Sequence, residues 1–268
     1  MTSENTFLSS SLCARQALIR THRIRMKYND INEIIRDIEL NPLERSGHIY
    51  HPIPFPEFSN LRTSSNSKQV YKKWRLIKEV LNKIYPGGLN GVRILDIGAN
   101  AGFYTFSLAQ EGAEVIAFES EPRYSAIGQF LAIEKRLPAT WYDVPFKREV
   151  VSGQQFDVAL ALSVFQWMAD GGNRLRKAID DLRAISEISR FLIFELGFNK
   201  GTSCIRTRKL NHYAELVRFL NHNTVYDHFM LLGITRLWAS SPRYLVLCSH
   251  EERFEDPALR RIMRMIRI

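Results

Sequence analysis

The chain has 268 residues, 45% of them hydrophobic, and a formal net charge of +9. That length supports one core domain with additions, or two small domains at most, and the hydrophobic share is ordinary for a globular protein. No apolar run reaches the ~18–20 residues that span a bilayer, while the positive charge favours an anionic partner: nucleic acid, an acidic glycan, a nucleotide-linked substrate or a membrane surface.

From the start of the chain, Thr6–Lys27 is rich in Ser and Arg and holds no acid. That is the composition of an organelle transit peptide or of a basic helix in the mature protein. Glu4 and the smooth run into Tyr28–Leu40 favour the helix, and with it a cytoplasmic location. Ile31, Ile34, Ile35 and Ile38 recur at helical spacing, so Tyr28–Leu40 is expected as an amphipathic helix packed on something. His51-Pro52-Ile53-Pro54-Phe55-Pro56 places prolines at alternate positions, which favours an extended segment crossing a surface. Asn60–Ser67 reads as a polar loop ending in helix-starting residues. Residues 1–66 are therefore taken as an N-terminal extension, helical and then extended.

Residues 67–250 alternate between strand and helix. Gln69–Tyr85 is expected as a helix stopped by Pro86-Gly87-Gly88. Strands are expected at 92–96, 114–119, Ala139–Val144, Phe156–Leu162 and Phe191–Leu196. Helices are expected at Phe103–Gln110, Arg123–Lys135, Asn173–Ser189 and Asn211–Asn221. Phe156–Leu162 is almost wholly apolar, as suits a strand buried on both faces. Ile234–Ala239 and Arg243–Ser249 read as a closing antiparallel pair around the turn Ser240-Ser241-Pro242. The fold class is α/β: a doubly wound, mostly parallel seven-stranded sheet with helices on both faces and a final antiparallel hairpin. Residues 251–268 form a basic tail in which Leu259, Ile262, Met263 and Ile266 share one side. Cys13, Cys204 and Cys248 show no metal-ligand spacing, no metal is expected, and their odd number suits a reducing compartment.

The most informative stretch is residues 94–104, Ile-Leu-Asp-Ile-Gly-Ala-Asn-Ala-Gly-Phe-Tyr. A strand stops near Asp96, Gly98 and Gly102 follow with small residues between them, and a helix begins. This is how a nucleotide-like ligand is gripped at the carboxyl edge of an open sheet. The next strand ends at Glu119, where a carboxylate suits the two hydroxyls of a ribose. NAD, FAD and S-adenosylmethionine all carry such a ribose. The dinucleotide fingerprint G-x-G-x-x-G fails here, since Asn100 stands at the middle glycine and Gly102 is out of register. Asp96 would also repel a pyrophosphate but attract an ammonium group.

Asp96-Ile97-Gly98-Ala99-Asn100-Ala101-Gly102 and Ala117-Phe118-Glu119 resemble the first and second motifs of the class I S-adenosylmethionine-dependent methyltransferases, over roughly Tyr71 to His250. The resemblance implies that Gly98–Gly102, with Asn100, line the methionine and ribose of S-adenosylmethionine. It implies that Asp96 acts near the amino group and that Glu119 holds the ribose. Asp143, at the end of the third strand, either accepts from the adenine amino group or is a solvated turn acid, and Ser163 joins the cofactor-binding set.

Ala161-Leu162-Ser163-Val164-Phe165-Gln166-Trp167-Met168 resembles the L-S-V-F-H-H run of some small-molecule and glycan methyltransferases, with Gln166-Trp167 in place of the histidines. No histidine base stands there. Gln166 can position a polar acceptor but cannot take its proton, and Trp167 either stacks on an acceptor ring or is a rim residue. Glu195, at the end of the fifth strand, is either a base or hydrogen-bond acceptor for substrate, or a structural acid. Glu195 and Gln166 are thus the catalytic candidates. Trp167, His212 and Tyr213 are the substrate-binding ones, and Tyr104 reads as a core aromatic. There is no phosphate-cradling G-x-x-x-x-G-K-[ST] loop.

The function expected is methyl transfer from S-adenosylmethionine to a small-molecule or glycan acceptor, anionic in one variant of the reading, at oxygen. The alternatives are an RNA methyltransferase, motivated by the charge and by Tyr71-Lys72-Lys73-Trp74-Arg75, and a non-catalytic scaffold, motivated by the missing histidines.

Overall fold

In a computed structural model, the structure describes residues 27–197, 213–236 and 242–255. Helices are numbered among these. The strands are β1 (Arg93–Ile97), β2 (Glu114–Phe118), β3 (Ala139–Tyr142), β4 (Phe156–Leu162), β5 (Ser189–Glu195), β6 (His228–Thr235) and β7 (Arg243–Ser249). They form one seven-stranded sheet in the order β3-β2-β1-β4-β5-β7-β6. β1 to β5 pair parallel, and β7 runs antiparallel to both β5 and β6. The order reverses between β1 and β4, which opens a crevice at the carboxyl ends of these strands.

The helices are α1 (Ile31–Leu40), α2 (Ser67–Ile84), α3 (Phe103–Gln110), α4 (Pro122–Glu134), α5 (Phe165–Met168), α6 (Leu175–Glu187) and α7 (Tyr213–Asn223). The period-2 alternation of the strands sorts the core into layers. Ile94, Val158, Leu160, Phe191, Ile193, Leu245 and Leu247 pack with α2 and α3 on one face. Leu95, Ala159, Ala161, Leu192, Phe194, Val246 and Cys248 pack with α6 and α7 on the other. Asp30 starts α1 by accepting a hydrogen bond from the Glu33 amide at 2.8 Å.

Residues 42–65 form a strap. Ser64 and Ser65 amides donate to Ile49 and Tyr50 carbonyls at 2.8 and 3.0 Å. The Tyr124 hydroxyl accepts from the Tyr50 amide at 2.9 Å and donates to Glu44 at 3.0 Å, tying the strap to α4. Ile53, Phe55, Phe58 and Leu61 bury themselves with α1 against Ala99, Ala101, Phe106 and Trp141. The strap thus lies over the glycine loop after β1.

Two expectations are corrected. The sixth strand is His228–Thr235, not Ile234–Ala239. Phe229-Met230-Leu231-Leu232 supplies its apolar run, and a register shift between Leu231 and Gly233 weakens the alternation in the sequence. The fifth strand begins at Ser189 and ends at Glu195, because Ser189 already pairs with Phe156. The expected turn at residues 240–242 falls mostly outside the described residues.

Candidate active site at the carboxyl edge

Two groups of residues meet at this edge. The first is built from backbone. Gly98 and Gly102 hold φ of +75° and +93°, and a Cβ on either would lie 2.6 Å from Val164 or 2.4 Å from the Phe106 ring. Only glycine fits these positions without strain. Asn100 also adopts a left-handed φ of +54°, which asparagine tolerates better than most residues. The amides of Gly98 and Ala99 both donate to the Phe118 carbonyl, at 2.9 and 3.1 Å, so the loop is pinned to the end of β2.

Glu119 sits directly beyond that strand. Its Oε2 accepts from the Asn100 amide and its Oε1 from the Glu121 amide, both at 2.7 Å. A carboxylate has about four acceptor positions, so a ribose hydroxyl can still bind at each oxygen. Burial raises the Glu119 carboxyl against the pull of these amides. Asp96 is 3% exposed, and burial pushes its carboxyl up to about 6, opposed by the Thr105 hydroxyl that donates at 2.6 Å. A cation at that place would stabilise its ionised form. The buried Asn100 Oδ1 has no hydrogen-bond partner. The unused lone pairs of Asp96, Glu119 and Asn100 fit a ligand with an ammonium group and vicinal hydroxyls, as S-adenosylmethionine has.

The second group is built from side chains of six separate segments. Glu195 is wholly buried. Its Oε2 accepts from the Lys73 ammonium at 2.6 Å and from the Ser163 hydroxyl, and its Oε1 accepts from Thr235 at 2.6 Å. These donors hold its carboxyl below the usual range despite burial, with Lys73 foremost. Arg243 donates to the Ser163 hydroxyl at 3.1 Å. Burial raises the Tyr50 phenol, and Arg243 beside it pulls the other way. The His51 ring stands edge-on to Tyr104 with centroids 5.8 Å apart. Burial, then Lys73, pushes the His51 imidazole down to about 3, so it is neutral.

The expected site residues divide accordingly. Asp96, Gly98, Asn100, Gly102 and Glu119 come together in the first group. Ser163, expected beside the cofactor, lies in the Glu195 cluster with a left-handed φ of +57°. Gln166 is buried with its amide spent on backbone, donating to the Ser163 carbonyl at 2.6 Å and accepting from the Gly197 amide at 3.1 Å. Asp143 is exposed just past β3. Trp167 is 56% exposed at the rim. Tyr213 is half-buried with its ring 5.5 Å from Tyr244, and His212 lies outside the described residues.

Lys73, His51, Thr235 and Arg243 were not singled out from the sequence as site residues. Lys73 carried a signal: with Val70, Ile77, Val80, Leu81 and Ile84 it occupies the buried face of α2, where an unpaired lysine would be costly. Its inward position removes it from the basic run 71–75 as an exposed charge.

Residues 95–193 match the family described as "Methyltransferase domain". A protein named ubiquinone biosynthesis O-methyltransferase from Azorhizobium caulinodans is 34% identical over 90 residues, 34% of this chain and 36% of that protein. Its namesake from Cereibacter sphaeroides is 31% identical over 85 residues, 32% of this chain and 34% of that protein. The match therefore spans about a third of these relatives' length. Among solved structures, the bifunctional kinase-methyltransferase WbdD aligns with TM-score 0.63 and 20% identity, over 82% of this chain and 46% of that one. The N-terminal domain of EvdMO1, solved with SAH bound, aligns with TM-score 0.55 and 15% identity, over 83% and 98%. These two share the fold. Residues 95–193 thus form a methyltransferase domain whose cofactor is S-adenosylmethionine, within a sheet that shares its fold with these solved structures.

Proposed function

We propose that this chain transfers a methyl group from S-adenosylmethionine to an oxygen of a small-molecule or glycan acceptor. The observation that carries the reading is the adjacency of the two groups at one sheet edge: acids and glycines fit for the cofactor, and beside them an enclosed polar cluster around Glu195. When bound, S-adenosylmethionine supplies a methyl group already activated for displacement. The protein's task is then to align the two reactants, and alignment can supply several kcal/mol of a barrier.

In this reading Glu119 orders the ribose, Asp96 faces the ammonium group, and the Gly98–Gly102 backbone makes room for the ligand. Asp143 accepts from the adenine amino group. Ser163, Gln166 and Glu195 fix the loop between β4 and α5 that separates cofactor from acceptor. Trp167 and Tyr213 flank the entrance, and the strap excludes water. The names of the curated relatives support oxygen as the acceptor atom. The test is incubation of the full chain with methyl-labelled S-adenosylmethionine and pools of hydroxylated aromatics, organic acids and sugars. The expected product is O-methylated by fragmentation mass spectrometry. Label found only on nitrogen, sulfur or carbon, or on none of the pools, contradicts the reading.

A further inference from the structure

The polar cluster has more donors than acceptors. The Tyr104 hydroxyl is buried without a hydrogen-bond partner. Burial first, and then the neighbouring carboxylates of Glu195 and Asp96, hold it well above the ordinary tyrosine range, so it stays protonated and donates. Lys73, 2% exposed, spends one of its three ammonium protons on Glu195 and stands 5.9 Å from the Tyr104 ring. His51, 9% exposed, contributes ring contacts to Tyr50 and Tyr104. Buried groups left in this state need a partner, and the partner that suits them is rich in acceptors.

Among the described residues, the cluster also lacks a base for removing a proton from a hydroxyl. Glu195 already accepts from Lys73, Ser163 and Thr235. The Gln166 amide is committed to backbone groups. A protonated His51 would be disfavoured by burial and by neighbouring Lys73 and Arg243. An acceptor oxygen that arrives already deprotonated therefore suits these groups best.

We infer that Tyr104, Lys73 and His51 form a pocket for an oxyanion, a carboxylate or a phosphate ester, and that the methyl acceptor carries it. The identity as acceptor rests on the function proposed above; the anion preference does not. The anionic oxygen brings the electron pair for the new O–CH3 bond, the sulfur keeps the pair of the broken S–CH3 bond, and no proton leaves.

The test follows the His51 ring resonance by NMR in the full chain, assigned with His51→Gln, during titration with acetate, inorganic phosphate or neutral acetamide. Each series is run with and without saturating S-adenosylhomocysteine. A charge-assisted hydrogen bond corresponds to about a tenfold or greater preference. The expected result is that one or both anions shift His51 with at least about tenfold higher affinity than acetamide, and still do so with S-adenosylhomocysteine bound. Tyr104→Phe, which removes only the hydroxyl, should weaken that binding about tenfold. Comparing acetate with phosphate identifies which oxyanion is preferred. Equal response to acetamide overturns the inference. Loss of the anion response on adding S-adenosylhomocysteine also overturns it, since the donors would then serve the cofactor's own carboxylate. If S-adenosylhomocysteine fails to bind, the function proposed above falls, while the comparison with acetamide still decides the oxyanion pocket.

Discussion

The two halves of the carboxyl edge are built by different means. The half proposed for the cofactor uses the contiguous loop from Asp96 to Gly102 with Glu119, held by backbone hydrogen bonds and left-handed dihedrals. The half proposed to take the acceptor collects Lys73 from α2, Ser163 after β4, Glu195 from β5, Thr235 and Arg243 from β6 and β7, and His51 from the strap. Its cohesion is electrostatic, in a place where water is excluded. In folding stability, a backbone-built site should tolerate change in charge but not in shape, and a charge-built site the reverse.

The largest expected effect breaks the charge-built half. Lys73→Met leaves Glu195 buried without its cation, which costs about 3–5 kcal/mol of stability in urea melts. The double variant Lys73→Met with Glu195→Leu should recover most of that loss, because removing both charges removes the desolvation cost. A double variant as unstable as the single would show that shape dominates here too.

Next is the shape-built half. Gly102→Ala meets the Phe106 ring at 2.4 Å and keeps a φ of +93°, so it should lose about 1–3 kcal/mol of stability. Cofactor affinity should fall with it by calorimetry. Wild-type affinity in this variant would mean that the loop has another conformation available.

Asp96 sharpens the contrast, since it is a charge inside the shape-built half. Its folded pKa of about 6 lies above the ordinary carboxylate value. Its buried charge therefore destabilises the cofactor-free protein above about pH 6, and the cost fades as pH falls toward 4. Asp96→Asn should stabilise that form at pH 8 by on the order of 1–3 kcal/mol and have no such effect at pH 4. It should also weaken cofactor binding at pH 8. In the parent, affinity for S-adenosylhomocysteine should decline as pH drops through about 6, where Asp96 takes a proton. An Asn variant that binds equally well would remove Asp96 from the cofactor site.

The smallest effect is at the rim. Trp167 is 56% exposed, so Trp167→Ala should change stability by no more than about 0.5 kcal/mol. A raised KM for acceptor with kcat retained would place it in the entrance; unchanged kinetics would make it a bystander.

The same contrast explains what could be read from the sequence. The helix Phe103–Gln110 and the strand Phe156–Leu162 were expected with the bounds they have, because glycines and apolar runs mark them locally. The cofactor half was legible for the same reason: Asp96, Gly98, Gly102 and Glu119 sit at strand ends whose register is set by β1 and β2. The acceptor half was not. Glu195 could be flagged at a strand end, but its ion pair with Lys73 joins residues 122 apart in the chain. His51 reaches the site only because the strap folds back over it. The sixth strand was misplaced because its register shift at Leu231/Gly233 interrupts the alternation that would have marked it.

The most direct measurement is calorimetric titration of S-adenosylhomocysteine into the full chain and into Glu119→Ala. Glu119 offers charged acceptors from a buried position, and a hydrogen bond to a charged group is worth about 1.5–3 kcal/mol. The expected result is binding to the parent and roughly 10-fold to 100-fold weaker binding to the variant. A folded parent that does not bind, or a variant that binds equally well, would contradict the assignment of this edge as the cofactor site.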